Sequence, residues 1–373
     1  MKIAILETVK ATGGFELEFD HIIIETLRAE GHEPILFVPQ ETDLGRDLHA
    51  PIKYLTGGKI VSYDGAHGIK KIWRSLQREY RRVQWFDAMM RAIRTEKIDA
   101  VLITTATYRY LRALRRSRLK DSPIPICFIF LGVNPQEKPK FIKAASSCLP
   151  YKNIQLYITT LRDDFRETLP ANTRLIPPPI MVPPEMSGTS VGDVLKIGFF
   201  GHYRRGEKKL EWFLRLAEEN DFARSVQMIL QIAPTDVRDR EEVDAIVQKY
   251  RHLSHVTLIT EKLIEEEWYQ AIAGVDAVFL PYTAERYLYN WSALYFTAIG
   301  FRKPVITTPV LNPEVLEAFE IGKAISMDTF EEFRRGMRDF VDTFDRKKEI
   351  YRSNLLKASD KYSKQNFIRH ILQ

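Results

Sequence analysis

The stretch Ala277-Val278-Phe279-Leu280-Pro281-Tyr282-Thr283-Ala284-Glu285-Arg286-Tyr287-Leu288-Tyr289-Asn290-Trp291-Ser292-Ala293-Leu294-Tyr295-Phe296-Thr297-Ala298-Ile299-Gly300, followed by Val305-Ile306-Thr307-Thr308, decides the fold. Its first four residues form a short apolar run, as a buried strand does. A polar and aromatic loop follows, then an apolar helix with Ser292 placed as its N-cap, then a second strand. The N–H groups of Ser292, Ala293 and Leu294 would open that helix and form an anion site. The loop would lie at the carboxyl end of a strand, where open α/β sheets bind ligands. Taken alone, the same pattern serves an ordinary β-α-β connection.

Working outward, the pattern recurs on both sides. Upstream lie the strand Leu195-Lys196-Ile197-Gly198-Phe199-Phe200-Gly201, a basic loop, a periodic helix from Leu210, and further strands at 226–232 and 256–259. Before them, residues 177–193 are rich in Pro, Gly and Ser, as a linker is. The N-terminal half repeats the plan. The strand Ile3-Ala4-Ile5-Leu6 precedes the pair Gly13-Gly14, and a helix with Phe19, Ile22, Ile23 and Leu27 on one face ends at Gly31. Strands follow at 33–39, 98–104, 125–131 and 156–160. Strands alternating with helices predict an α/β protein with parallel sheets covered on both faces. A length of 373 residues suits two domains. The expected division is 1–180, a linker at 181–194, 195–346, and terminal helices at 347–373 that return to the first domain.

The composition, 45% hydrophobic and 28% charged, is that of a globular chain. A net charge of +6 is compatible with an anionic substrate, an anionic membrane or nucleic acid. Two cysteines are too few for a disulfide framework. There is no signal peptide, and no apolar run approaches the roughly 20 residues of a membrane span. The expected location is the cytoplasm, on the inner face of the membrane if the protein docks there. From Ile69 to Ile93 a long helix is predicted, with Ile69, Ile72, Trp73, Leu76, Tyr80, Val83, Met90 and Ile93 on one stripe and Lys70, Lys71, Arg74, Arg78, Arg81, Arg82, Arg91 and Arg94 between them. Such a helix either packs on the core with a solvated basic face or lies on anionic lipid.

Three strand-end elements of the second half suit a nucleotide diphosphate. The loop Arg204-Arg205-Gly206-Glu207-Lys208 offers guanidinium forks and an ammonium. The helix start at Ser292 offers N–H groups. Glu261, Lys262 and Leu263 follow a third strand and could lie along a base. Other chemistries lack their signatures: there is no P-loop, no G-x-G-x-x-G and no G-x-S-x-G. The histidines have no ligand spacing, so no metal and no cofactor are expected. The basic helices carry no nucleic-acid reading motif, so no nucleic-acid partner is expected.

These residues resemble the two-domain nucleotide-sugar glycosyltransferases of the GT-B fold, group 1 or GT4 type. Gly13-Gly14-Phe15-Glu16, a helix and Gly31-His32-Glu33 look like that family's opening. The stretch from Phe200-Gly201 through Lys208 looks like its diphosphate loop. The stretch from Asp276 to Ile306 looks like its donor block, with Arg286-Tyr287, Ser292-Ala293 and Thr297-Ala298 on matching positions. Three residues depart: Thr297 stands where the family has a ribose-binding glutamate, and Ala293 and Arg302 replace glycines. The resemblance implies two doubly wound Rossmann-like domains facing across a cleft, closing about the linker. It implies an N-terminal acceptor domain and a retaining, metal-free transfer to a glycan or lipid-linked acceptor in surface polysaccharide or lipopolysaccharide synthesis. Arg204, Arg205 and Lys208 would be the catalytic cations. Gly13, Gly14, Glu261, Lys262, Leu263, Arg286, Tyr287, Ser292, Ala293, Leu294 and Thr297 would hold the donor. The alternative is a non-catalytic GT-B-like subunit that binds a partner or glycan.

Overall fold

Continuous apolar runs need cover on both faces, and parallel sheets flanked by helices give it. In the computed structural model of the chain every strand pair within the two sheets is parallel. The structure describes residues 1–8, 15–45, 47–62, 67–162, 168–182, 193–203, 208–234, 237–263 and 265–373. The chain divides into two units. One comprises Met1–Pro177 with Lys364–Gln373, the other Pro178–Ser363.

The first unit runs β1 (Lys2–Leu6), α1 (Phe15–Ala29), β2 (Glu33–Pro39), β3 (Ile52–Leu55), α2 (Gly68–Glu96), β4 (Ala100–Ile103), α3 (Tyr108–Arg116), a 3-10 turn (Arg118–Asp121), β5 (Ile126–Phe130), α4 (Lys138–Ser146), β6 (Ile154–Thr159) and β7 (Thr173–Ile176). The sheet order is β3-β2-β1-β4-β5-β6-β7. On one side of β1, Ile5 lies opposite Leu36 of β2; on the other, opposite Leu102 of β4. Strands β4 and β5 are wholly buried, as their runs predict.

The second unit runs β8 (Leu195–Tyr203), α5 (Leu210–Glu219), β9 (Val226–Pro234), α6 (Val237–Tyr250), β10 (Val256–Ile259), α7 (Glu265–Ala273), β11 (Ala277–Leu280), a 3-10 turn (Glu285–Leu288), α8 (Ala293–Gly300), β12 (Val305–Thr307), α9 (Pro313–Ala318), β13 (Gly322–Ala324) and α10 (Phe330–Lys361). Its sheet order is β10-β9-β8-β11-β12-β13. A last helix, α11 (Lys364–Leu372), belongs to the first unit. There Phe367 meets Phe19 edge-on at 5.8 Å, and the Ile371 carbonyl accepts from the Tyr157 hydroxyl at 3.1 Å.

Two boundaries differ from the sequence expectation. Helix α10 does not break near residue 345. Asp345 and Arg346 continue a helix that Thr329 caps by accepting from the Glu332 N–H, so the return begins at Lys364 rather than 347. Residues 180–182 are not open linker. They are buried in the second unit, where the Ile180 N–H donates to the Tyr362 carbonyl at 2.9 Å.

Candidate functional site

A doubly wound sheet leaves a crevice at the carboxyl ends of its strands, between the two strands where the winding reverses. In the second unit that place lies between β8 and β11. After β8, the described chain resumes at Lys208, which forms an isolated antiparallel bridge with Tyr282, just past β11. Lys208 is only 8% exposed. Its ammonium donates to the His202 carbonyl at 2.6 Å and lies 4.8 Å and 5.2 Å from the ring centroids of Phe199 and Tyr282. A carbonyl oxygen and two ring faces are negative ends of local charge distributions, and each attracts an ammonium. Tyr282 is fixed in turn. Its carbonyl accepts from Thr308 Oγ1 at 2.5 Å, and its ring meets Tyr287 edge-on at 4.6 Å.

Helix α8 starts as expected. Ser292 is extended, and its Oγ accepts from the Tyr295 N–H at 3.4 Å. Ala293 and Leu294 supply the first two N–H groups, which have no acceptor within the helix. Thr297 is fully buried one turn later, and its hydroxyl donates to the Met181 carbonyl at 3.4 Å. That bond ties α8 to residues 180–182. At the helix end Arg302 is left-handed, with φ 56°. It stands where the resembled family has glycine.

Glu261 and Lys262 are exposed and Leu263 half-buried, just past β10. A residue the sequence did not single out fixes this loop: Gln231, buried on β9, donates from Nε2 to the Glu261 carbonyl at 3.1 Å. A lone glutamine in an apolar strand run carries no signal of that role. Gly13, Gly14, Arg204 and Arg205 lie outside the described residues, as does the side chain of Arg286. Among the described residues, no three His, Cys, Asp or Glu side chains converge as a metal ion requires.

The first unit has its own crevice, between β1 and β4, and the sequence reading missed what fills it. Glu7 follows β1, Thr104 and Thr105 follow β4, and Asp20 reaches in from α1. Glu7, Asp20 and Thr104 are buried. Thr105 Oγ1 donates to Glu7 Oε2 at 2.8 Å, and Thr104 lies between the two carboxyls, 3.3 Å from Glu7 Oε2 and hydrogen-bonded to Asp20 Oδ1. Burial first, and then the charge of Glu7, push the Asp20 carboxyl well above the usual carboxylate range. Thr8 and Tyr110 join hydroxyls beside the pair, and the Arg82 guanidinium covers the Tyr110 ring at 4.8 Å.

Two parallel doubly wound units in one chain are also the architecture of solved glycosyltransferases of the GT-B fold. Solved structures show the likeness along the whole chain. A glycosyltransferase from Rickettsia africae covers 100% of this chain and 96% of its own, with a TM-score of 0.65 and 11% identity. Sucrose-phosphate synthase from Thermosynechococcus elongatus covers 100% and 98%, with 0.66 and 13%. HepE from Anabaena, in complex with UDP, covers 100% and 99%, with 0.67 and 13%. No protein-family model matches the chain, and no curated protein matches it in sequence.

Proposed function

We propose that the protein is a glycosyltransferase that moves a sugar from a nucleotide-sugar donor to a glycan or lipid-linked acceptor, with retention, in surface polysaccharide or lipopolysaccharide synthesis at the cytoplasmic face of the membrane. The observation that carries this reading is the Lys208 amine at the β8–β11 crevice, set against a carbonyl and two rings. In a GT-B fold that crevice suits the donor diphosphate. HepE, which shares the fold, was solved with UDP and with UDP-glucose.

The chemistry follows from charge. As the bond between the anomeric carbon and the diphosphate oxygen breaks, negative charge grows on the diphosphate; the acceptor oxygen bonds to that carbon on the same face, and its hydroxyl proton passes to the departing diphosphate oxygen. Lys208, with Arg204 and Arg205, would stabilise that charge without a metal. The Ala293 and Leu294 N–H groups would donate to it. Glu261, Lys262 and Leu263 would lie along the base, Arg286 and Tyr287 beside the sugar phosphate, and Gly13 and Gly14 on the acceptor side.

One observation favours the second reading, a non-catalytic subunit that binds a partner or glycan. At Thr297, where the family places a ribose-binding carboxylate, a hydroxyl is spent on the Met181 carbonyl. A thermal-shift panel of UDP, GDP and their sugars separates the two. A nucleotide at a hundred times its Kd stabilises by about 2.7 kcal/mol. A shift with one nucleotide and its sugar supports the enzyme, and no shift with any of them sinks it.

A further inference from the structure

Helix α2 is two different helices joined end to end. In its second half Trp85, Phe86, Met89, Met90 and Ile93 are buried in the first unit. In its first half Ile69, Ile72, Trp73, Leu76 and Tyr80 are between 60% and 86% exposed. At 3.6 residues per turn those five side chains share one stripe, turned by roughly a third of the circumference from the buried face. The core-packed expectation therefore holds only from about residue 82 onward. Before it, a stripe of five large apolar side chains stays exposed among the described residues, and a patch of that kind marks an interaction surface.

The charge around the stripe selects its partner. Residues 68–82 carry six cations, Lys70, Lys71, Arg74, Arg78, Arg81 and Arg82, against one acid, Glu79. Of these, Lys70 and Lys71 are exposed, Arg74, Arg78 and Arg81 are half-buried, and Arg82 is buried against Glu79 at 2.6 Å. The helix start adds to this. His67 makes no capping bond through its side chain, and the first turn holds no acid. A helix N-terminus carries partial positive charge, and here two lysines add to it. Every such feature calls for an anion spread over a surface rather than a single pocket. No helix among the described residues is long and apolar enough to cross a membrane.

We propose that the stripe of Ile69, Ile72, Trp73, Leu76 and Tyr80 docks the protein on an anionic lipid bilayer, with the apolar side chains entering the headgroup boundary and the exposed Lys70 and Lys71 reaching lipid phosphates. This rests on the lipid-linked acceptor for its purpose, but its test needs no donor, acceptor or turnover.

The test is flotation of the full chain with vesicles of phosphatidylcholine alone and with vesicles of phosphatidylcholine and phosphatidylglycerol. The protein should float with the anionic vesicles and stay at the bottom with the neutral ones. Lys70→Gln with Lys71→Gln should weaken binding roughly fivefold per cation. Ile72→Ser, Trp73→Ser and Leu76→Ser together should weaken it by more than an order of magnitude. These positions are exposed, so circular dichroism and Tm should match the parent. Equal flotation of the parent and the triple variant overturns the proposal. So does a parent that stays at the bottom with anionic vesicles. Light scattering completes the test: a parent dimer that the triple variant converts to monomer assigns the stripe to a second copy and also overturns it.

Discussion

Lys208→Met is the most direct probe of the second crevice. Methionine keeps an unbranched stem over the Phe199 and Tyr282 rings and removes only the charge and its donors. Among the interactions the fold loses are the charge-assisted bond from Lys208 Nζ to the His202 carbonyl at 2.6 Å and the ring contacts to Phe199 and Tyr282 near 5 Å. A bond of that type contributes about 1.5–3 kcal/mol, and part returns because a buried ammonium no longer needs desolvating. A net loss of about 1–2 kcal/mol lowers Tm by a few degrees in a body of this size. The effect on transfer is larger. One preorganised donor aimed at developing charge is worth about a hundredfold to a thousandfold in kcat. The assay is transfer or donor hydrolysis with whichever nucleotide sugar shifts Tm, beside a thermal-shift comparison of nucleoside diphosphate with free nucleoside. The variant should lose the advantage of the diphosphate and keep any response to the nucleoside. Turnover within about tenfold of the parent, with the fold intact, would refute the role given to Lys208.

Three further outcomes follow from single residues. Asp20 has a folded pKa raised above its unfolded value, so the stability tied to its proton is complete below the ordinary carboxylate range and fades as pH rises through the folded value. Asp20→Asn, whose amide can donate to Glu7 and whose oxygen can accept from Thr104, should gain stability over the parent progressively as pH rises from 4 to 8 in urea titrations; identical midpoints at every pH would contradict this. Arg302→Gly removes a left-handed conformation that costs a side-chain-bearing residue roughly 1 kcal/mol, and should raise the unfolding free energy by about 0.5–1 kcal/mol. Gly300→Ala would drive a methyl group into the methyls of Val182 and Ile180, and should lower stability by about 1–3 kcal/mol, whereas an unchanged urea midpoint would mean that residues 180–182 do not press on α8.

What the sequence reveals depends on how local its causes are. Ala277-Val278-Phe279-Leu280 announces a buried strand because all four residues are covered, so no alternation is needed. Ser292 announces a cap because its partner is three residues away. Ile52-Lys53-Tyr54-Leu55 does not announce β3, since only Leu55 is buried and the strand is defined by pairing with β2 from Leu36 to Pro39. The loop at 204–208 was legible as basic, but what holds the Lys208 ammonium comes from Phe199 and from Tyr282, 74 residues apart from it in the latter case (282 less 208). Helix α2 shows the sharpest limit. Its apolar residues look alike along the whole helix, and only the neighbours of the second half decide which of them are covered.

The same limit hid Glu7 and Asp20, which read as two ordinary acids among 49. Once β1, α1 and β4 bring them together, they give the first crevice the opposite character to the second. A diphosphate approaching β1 and β4 would meet buried carboxyls and hydroxyl oxygens, and would be repelled. One approaching β8 and β11 would meet an ammonium and the opening N–H groups of α8. Electrostatics thus supports giving the donor to the second unit and a neutral, hydroxyl-bearing acceptor to the first. The raised pKa of Asp20 belongs to that division: a carboxyl shifted toward its protonated form can share a hydrogen bond with Glu7 that two carboxylates could not make. If the first unit binds the acceptor beside this pair, Asp20→Asn should preserve acceptor KM, because the amide keeps a donor toward Glu7, while Glu7→Gln should raise it, because it replaces one of the crevice's acceptor oxygens with an amide donor.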